Sequence, residues 1–495
     1  MRYLIALLWF VVFAKKLLFW TYLWQLKEYH IGRFLDHFKT AKGKSLILSP
    51  LFAFKIILLW GLYFTATNGL FEVKLGITYL IVLIFFLEGV FFLKNFLQKT
   101  FKKPILTRKT AVIISSGLSL SFLIIFFAFL LEFRLTKFTF SLLTFDILAP
   151  VILSGFVLAF QPIAVILRNR LIGQARKKRE QFKNLKVVGI TGSYGKTSTK
   201  EFLASILATK YRVLKTKEHQ NSEMGIAKCL LQELEPEHEI FVCEMGAYNK
   251  GGVKLLCSIA QPQIGVLTGI NEQHMATFGS QENIIKTKYE LIESLPKDGV
   301  AFFNAQNKYC VDLYSKTNIK KFLYGANVSF LGEENIIGAM AVAKELGMSE
   351  EEISRATAKI QNRLGGITLK KGANGVNIID ATYSANPDGV IANLEYLKTF
   401  PGKKIIVMPC LIELGNASGE VHKRIGQKIG EVCDLAIITT QDKIKELKEG
   451  AAGRGNIVFI ENSEEIEKKL KSFIKPGDVV LLESRISPRI IQKLI

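Results

Sequence analysis

Hydrophobic and polar positions divide the chain into two textures. Up to about residue 186, long apolar stretches occur near 3–24, 46–66, 75–93, 111–131 and 147–167. Each is close to the ~20 residues that cross hydrocarbon as a helix. Beyond them, short β-branched runs alternate with helical patterns. The runs include KVVGIT (186–191), EIFVCEM (239–245), QIGVLTGI (263–270), KKIIVMPC (403–410), DLAIITT (434–440) and DVVLLES (478–484). That alternation predicts parallel sheets of βαβ units, which bind ligands at the carboxyl ends of their strands. The expected architecture is an α-helical membrane domain over 1–186, then two α/β domains over 187–362 and 363–495.

Charge sharpens this division. The net charge of +22 over 495 residues suggests a nucleic-acid binder until it is mapped. Residues 1–186 hold 26 Lys+Arg against 7 Asp+Glu, and the remainder is close to neutral. A nearly neutral soluble part has little charge with which to release counterions, which excludes a nucleic-acid role. The basic residues concentrate in 25–45, 94–110 and 168–186, with few in 67–74 and 132–145. The positive-inside rule then gives five spans of the inner or plasma membrane, an outside N-terminus and cytoplasmic α/β domains. A four-span arrangement stays open because Lys15 and Lys16 interrupt the first stretch. Glu88 is expected to snorkel from the inner end of its span. Residues 25–45 read as an amphipathic helix, lying in the headgroup layer or packed on the soluble part. The six cysteines form no C-x-x-C pair and fit reduced thiols.

The sharpest motif is Thr191-Gly192-Ser193-Tyr194-Gly195-Lys196-Thr197-Ser198, which follows a strand pattern and opens a helix. Gly192 and Gly195 let backbone approach an anion, and the helix N-terminus aims amides at phosphates. Lys196 supplies a point charge and Thr197 a hydroxyl for Mg²⁺. Glu244 ends a strand, and His274 follows another. With Thr197 they make a candidate cation site, in which a hard ion would take oxygen more readily than imidazole.

In order along the chain, TGSYGKTST, NSEMG (221–225), CEMGA (243–247), INEQHMATFGSQENIIKTKYEL (270–291), FFNAQN (302–307), NRLGG (362–366), ATYSANPDG (381–389), IELGNASGEVH (412–422) and KPGDVVLLESR (475–485) resemble the Mur ligase family, its MurF branch above all. The resemblance covers 187–495. It implies a P-loop central ATPase domain, a Rossmann-like C-terminal domain, and ATP-dependent amide formation through an acyl phosphate. It implies that Gly192, Ser193, Gly195, Lys196, Thr197 and Ser198 hold the phosphates, and that Thr197, Glu244 and His274 serve Mg²⁺. Lys288 matches a lysine carbamylated in several members, Asn304 the adenine-side asparagine, and Arg363 the arginine that reaches the γ-phosphate. Asp380, Tyr383 and Asn386 match nucleotide contacts from the C-terminal domain. Asn221, Glu413 and His422 match substrate positions, the last two facing the incoming amine.

The sequence also departs from the family. Gln306 and Asn307 replace paired acids, Ala381 an Asp and Ser384 an Asn, and Leu482-Glu483-Ser484-Arg485 stands where Lys-Gly-Ser-Arg is usual. The membrane region stands where the family has a UDP-sugar-binding domain. The expected enzyme is a membrane-anchored ligase of peptidoglycan precursor synthesis. It would join D-Ala-D-Ala or another amine to a muropeptide or lipid-linked acceptor. Two alternatives remain: a poly-γ-glutamate synthase-like ligase, and a membrane scaffold that binds nucleotide without ligating. Oligomeric state is not legible.

Overall fold

The structure is a computed structural model. It describes every residue except 28, 69, 218–219, 329–331, 359–367, 373–374, 383–385, 488–489 and 491–495. Two compact units divide after Arg168.

In the first unit, helices Arg2–Leu26, Pro50–Thr67, Phe71–Leu97, Arg108–Leu131 and Leu135–Ala159 are packed together. With the extensions at Lys42 and Gln181, five helical stretches are long and apolar enough to cross a membrane. Ser49 caps the second helix with Pro50 in its first turn, and Thr107 closes a capping box at the fourth. The last expected stretch, 147–167, instead straddles the end of Leu135–Ala159 and the start of Gln161–Gln181.

Charges inside this unit face one another. Lys55 Nζ lies 2.7 Å from Asp146 Oδ2 and also pairs with Glu88. Lys16 lies 2.6 Å from Asp146 Oδ1, and Lys15 lies 3.5 Å from Glu88. Glu88 therefore pairs inside the bundle rather than snorkelling. An apolar bundle makes an unpaired charge so costly that opposite charges on different helices meet. Lys15 and Lys16 interrupt the hydropathy of the first helix without breaking it. The 25–45 segment forms helices Ile31–His37 and Ala41–Ile47. Phe34 stacks on Trp24 with ring centroids 3.8 Å apart, so this segment packs against the first helix of its own unit.

The α/β unit begins earlier than 186. Ile172 and Ala175, in the second half of helix Gln161–Gln181, are buried in the core of the following α/β domain. Arg179 donates to the carbonyls of Ala260, Phe182 and Leu185. One of the basic residues of the 168–186 segment is thus spent on backbone oxygens.

The described residues of this unit form two six-stranded sheets. In the first, β1 (Lys186–Thr191), β2 (Val213–Lys215), β3 (Ile240–Glu244), β4 (Ile264–Leu267), β5 (Val300–Asn304) and β6 (Lys320–Tyr324) run parallel in the order β2-β3-β1-β4-β5-β6. β1 lies between β3 and β4, so successive strands are laid down on both sides of it. Its carboxyl end opens at that switch point, where such sheets bind ligands. The second sheet comprises β7 (Thr368–Lys371), β8 (Asn377–Ala381), β9 (Lys404–Met408), β10 (Leu435–Ile438), β11 (Asn456–Phe459) and β12 (Val479–Glu483). Their order is β11-β10-β9-β12-β8-β7, parallel except for β7. Central strands buried along their length explain why both sheets read as continuous apolar runs.

Candidate active site

From Thr191, at the end of β1, the chain turns into helix Lys196–Leu207. Gly195 caps that helix in the left-handed conformation, φ 76°, and a Cβ there would run into the Asn335 amide oxygen. Only glycine meets both demands. The Ser193 N–H donates to Gly269 O at 2.6 Å, and the Asn271 N–H to Ser193 Oγ at 3.1 Å, which pins the loop beside β4. Lys196 Nζ donates to Gly192 O (2.8 Å) and Ser193 O (3.1 Å), so its charge lies against the loop. Ser193, Gly195, Lys196, Thr197 and Ser198 line a cavity of about 680 Å³ at the seam between the two sheets' domains.

Beside the loop, three side chains meet on one carboxylate. Thr197 Oγ1 donates to Glu244 Oε2 at 3.0 Å, and Asn221 Nδ2 to Glu244 Oε1 at 2.9 Å. The ammonium of fully buried Lys200 lies 3.3 Å from Glu244 Oε2. Asn221, expected at the substrate, donates to Glu244 here. Lys200 was missed, although it follows Thr197 by three residues and so shares its helix face.

His274 sits in a left-handed turn, φ 64°. Its Nδ1 lies 2.7 Å from Glu413 Oε2, and its ring stands edge-on to Tyr248. Burial lowers its pKa against the opposing pull of Glu413. A neutral ring that gives its Nδ1 proton to Glu413 keeps its Nε2 lone pair for a metal. Glu413, expected to face the amine, lies against this histidine. Lys288 is 3% exposed, and burial pulls its pKa down to about 7, with the charge of Lys196 adding to the effect.

Among the described residues no three His, Cys, Asp or Glu side chains converge on one point. The donors are a hydroxyl (Thr197), a carboxylate (Glu244) and an imidazole (His274). That set fits Mg²⁺ when phosphate oxygens or a further anion complete it.

On the opposite wall, Asn304 is buried, with Nδ2 donating to Thr268 O (2.7 Å) and Oδ1 accepting from the Gln306 N–H (2.9 Å). Both ends of its amide are thus engaged with backbone. Asn386 caps helix Pro387–Lys398 and lines the cavity. Asn271 reaches across the seam to Asn386 Oδ1 and Asp388 Oδ2, both at 3.0 Å. Asp380 is engaged locally by Lys370 (2.8 Å) and Thr382 (2.7 Å) and is not among the cavity's lining residues. His422 is a correction. Its Nε2 accepts from the Leu411 N–H (3.0 Å) and its Nδ1 donates to Ser418 O (2.6 Å), so it shapes the loop that carries Glu413 and has no nitrogen left for substrate. Arg363 and Tyr383 lie outside the described residues.

Residues 190–361 match the Mur ligase middle domain, and residues 367–485 match the Mur ligase glutamate ligase domain. A UDP-N-acetylmuramoyl-tripeptide--D-alanyl-D-alanine ligase of Synechocystis is 27% identical over 334 residues, 62% of this chain and 73% of the relative. The Bacillus subtilis ligase of the same name is 30% identical over 276 residues, 49% of this chain and 60% of the relative. MurF from Acinetobacter baumannii superposes with a TM-score of 0.59 at 25% identity, over 66% of this chain and 80% of that one. MurF from Thermotoga maritima in complex with ADP gives a TM-score of 0.56 at 27% identity, over 66% of this chain and 83% of that one. The chain thus spans between three-fifths and three-quarters of the two curated relatives it matches here.

Proposed function

The chain belongs to the Mur ligase family, with MurF enzymes among its relatives, and on that premise we propose that it is a membrane-anchored, ATP-dependent amide ligase of cell-envelope precursor synthesis. The observation that carries the proposal is a phosphate loop that lines an interdomain cavity, with its Thr197 bonded to Glu244, and a His274 held by Glu413 from the other domain. In the proposed reaction, a substrate carboxylate attacks the γ-phosphorus of ATP. The bond to the bridging oxygen breaks, and ADP leaves with its electrons. The resulting acyl phosphate is attacked by an amine, inorganic phosphate departs, and the amine loses a proton. The residues mainly position reactants and stabilise charge. The loop amides and Lys196 hold phosphate oxygens. Thr197, Glu244 and His274 would hold Mg²⁺, which supplies charge neutralisation between the phosphates. A Lys288 amine with a pKa near 7 is substantially neutral at cytoplasmic pH, which is what carbamylation by CO₂ needs. The carbamate would add the missing anionic donor.

The amine is D-Ala-D-Ala or a related amino acid or dipeptide. The acceptor is a muropeptide, either UDP-linked or lipid-linked. Five helices able to span a membrane support anchoring, and the basic segments 25–45, 94–110 and 168–186 support cytoplasmic catalytic domains. The test is ADP release by the purified full chain with D-Ala-D-Ala and each acceptor in turn, the product being weighed by mass spectrometry. Absence of turnover with every muropeptide would sink the proposal, and glutamate incorporation without muropeptide would move it to polymer synthesis.

A further inference from the structure

The first unit contains a group of polar atoms that anchoring leaves unused, at the end that its basic segments mark as cytoplasmic. Residues 98–109 (QKTFKKPILTRK) hold five Lys/Arg and no Asp or Glu. Gln25 ties this segment to the first helix, its Nε2 donating to Ile105 O (3.0 Å) and its Oε1 accepting from the Ile105 N–H (2.7 Å). Ile105 and Leu106 nevertheless stand 76% exposed each, between Lys103 and Arg108. Arg108 and Lys109 open helix Arg108–Leu131, whose first turn has no acid. Two cations at the positive end of a helix dipole are unfavourable until an anion joins them. Lys109 Nζ lies 3.4 Å from the centroid of the Tyr29 ring and 3.3 Å from Gln161 Oε1, and no carboxylate among the described residues pairs with it. Gln161 Nε2 in turn donates to Tyr29 O at 3.1 Å, which fixes Tyr29 beside the lysine. The Tyr29 hydroxyl is buried and has no hydrogen-bond partner. A buried O–H without an acceptor is stabilised by any acceptor that a ligand brings. The acid on the neighbouring helix Ile31–His37, Asp36, pairs with Lys39 at 3.1 Å. Burial, Lys27 and Lys102 hold the His37 ring below its ordinary range against the pull of Asp36, so positive charge prevails there too.

Unpaired cations, a hydroxyl donor without an acceptor and exposed aliphatic side chains are together complementary to one class of ligand. We propose that this end of the first unit holds an anionic phospholipid. Its headgroup phosphate accepts from the Tyr29 hydroxyl and from Lys109, whose flexible stem can swing off the ring, while an acyl chain lies along Ile105 and Leu106. Free phosphate would leave the aliphatic pair uncovered. A zwitterionic lipid would bring a further cation to a place already rich in them. The inference rests on the first unit's spanning a membrane and is independent of the ligase chemistry. It goes beyond anchoring by assigning a site that selects a headgroup.

The test is native mass spectrometry of the full chain in detergent, titrated with phosphatidylglycerol, phosphatidylcholine or inorganic phosphate. The wild type is expected to bind phosphatidylglycerol about tenfold or more tightly than phosphatidylcholine, with no saturable binding of inorganic phosphate. Tyr29→Phe removes a hydroxyl and no charge, and should weaken phosphatidylglycerol binding about three- to tenfold. Lys109→Gln should weaken it about tenfold or more, and Lys109→Arg less. Lys137→Gln, at the opposite end of the unit, should leave it unchanged. Melting curves without added lipid accompany each variant. Tyr29→Phe, which keeps ring and cation, decides the matter if Lys109→Gln melts early. Equal losses in Lys103→Gln and Lys109→Gln with none in Tyr29→Phe would signify a diffuse surface potential and overturn the site. Equal affinity for the two lipids, or saturable binding of inorganic phosphate alone, overturns it as well. Recovery of the chain from cells in the soluble fraction without detergent would overturn the membrane reading, and this inference with it.

Discussion

Glu413 Oε2 lies 2.7 Å from His274 Nδ1, joining the C-terminal domain to the candidate cation site of the central domain. A carboxylate on one ring nitrogen fixes which lone pair the other presents. Glu413→Ala is expected to weaken the apparent Mg²⁺ affinity by about 10- to 100-fold. Glu413→Gln, which keeps an acceptor, should lose less. Mg²⁺ titration of ADP release measures both. Equal Mg²⁺ dependence in all three proteins would separate Glu413 from the metal.

Lys288→Ala should abolish turnover while leaving the fold intact by circular dichroism. In the wild type, isotopically labelled bicarbonate should give a carbamate carbon signal that the variant lacks. The sign with pH follows from a lysine whose pKa is lowered to about 7. The neutral amine is the major form above that value, so turnover should fall as pH drops through it, and added bicarbonate should offset part of the fall.

Lys196→Met removes the cation that lies against Gly192 O and Ser193 O. Turnover is expected to fall at least a hundredfold, with thermal stability little changed. A thermal scan alongside the assay separates loss of phosphate binding from loss of fold.

Glu483 predicts a pH dependence of stability. It is fully buried at the end of β12, its Oε2 accepts from Asn393 Nδ2 at 2.7 Å, and burial raises its pKa from 4.5 to about 8. Between those two values the folded state holds a proton that the unfolded state releases. Stability therefore falls as pH rises through that window and then levels off. Glu483→Gln should flatten this dependence and raise the melting temperature at pH above 8 relative to wild type. Parallel melting curves at low and high pH for both proteins would contradict it.

In the first unit, Asp146→Asn leaves Lys16 and Lys55 without their shared carboxylate. Breaking one member of a buried ion-pair group costs about 3–5 kcal/mol, so the variant should melt well below wild type in detergent. Replacing Lys55 and Asp146 together by apolar residues should restore part of the difference. An unchanged melting temperature in the single variant would argue against the pairing.

What can be read along the chain alone is local. The apolar stretches, the alternation of strand and helix, and the phosphate loop at 191–198 each depend on neighbours in the chain, so period and spacing reveal them. The loop was legible because its strand, glycines, lysine and helix start are contiguous. Tertiary structure alone decided which distant groups meet. Glu413 finds His274 across 139 positions, Lys55 finds Asp146 across 91, and Arg179 donates to the Ala260 carbonyl across 81. His422 and Glu88 were misplaced for the same reason. A residue type declares what bonds it can make, but its direction comes from packing, and the cost of burying an unpaired polar group selects the partner. The boundary after Arg168 also follows from packing, because Ile172 and Ala175 are buried in the α/β core although the helix that carries them begins in the preceding unit.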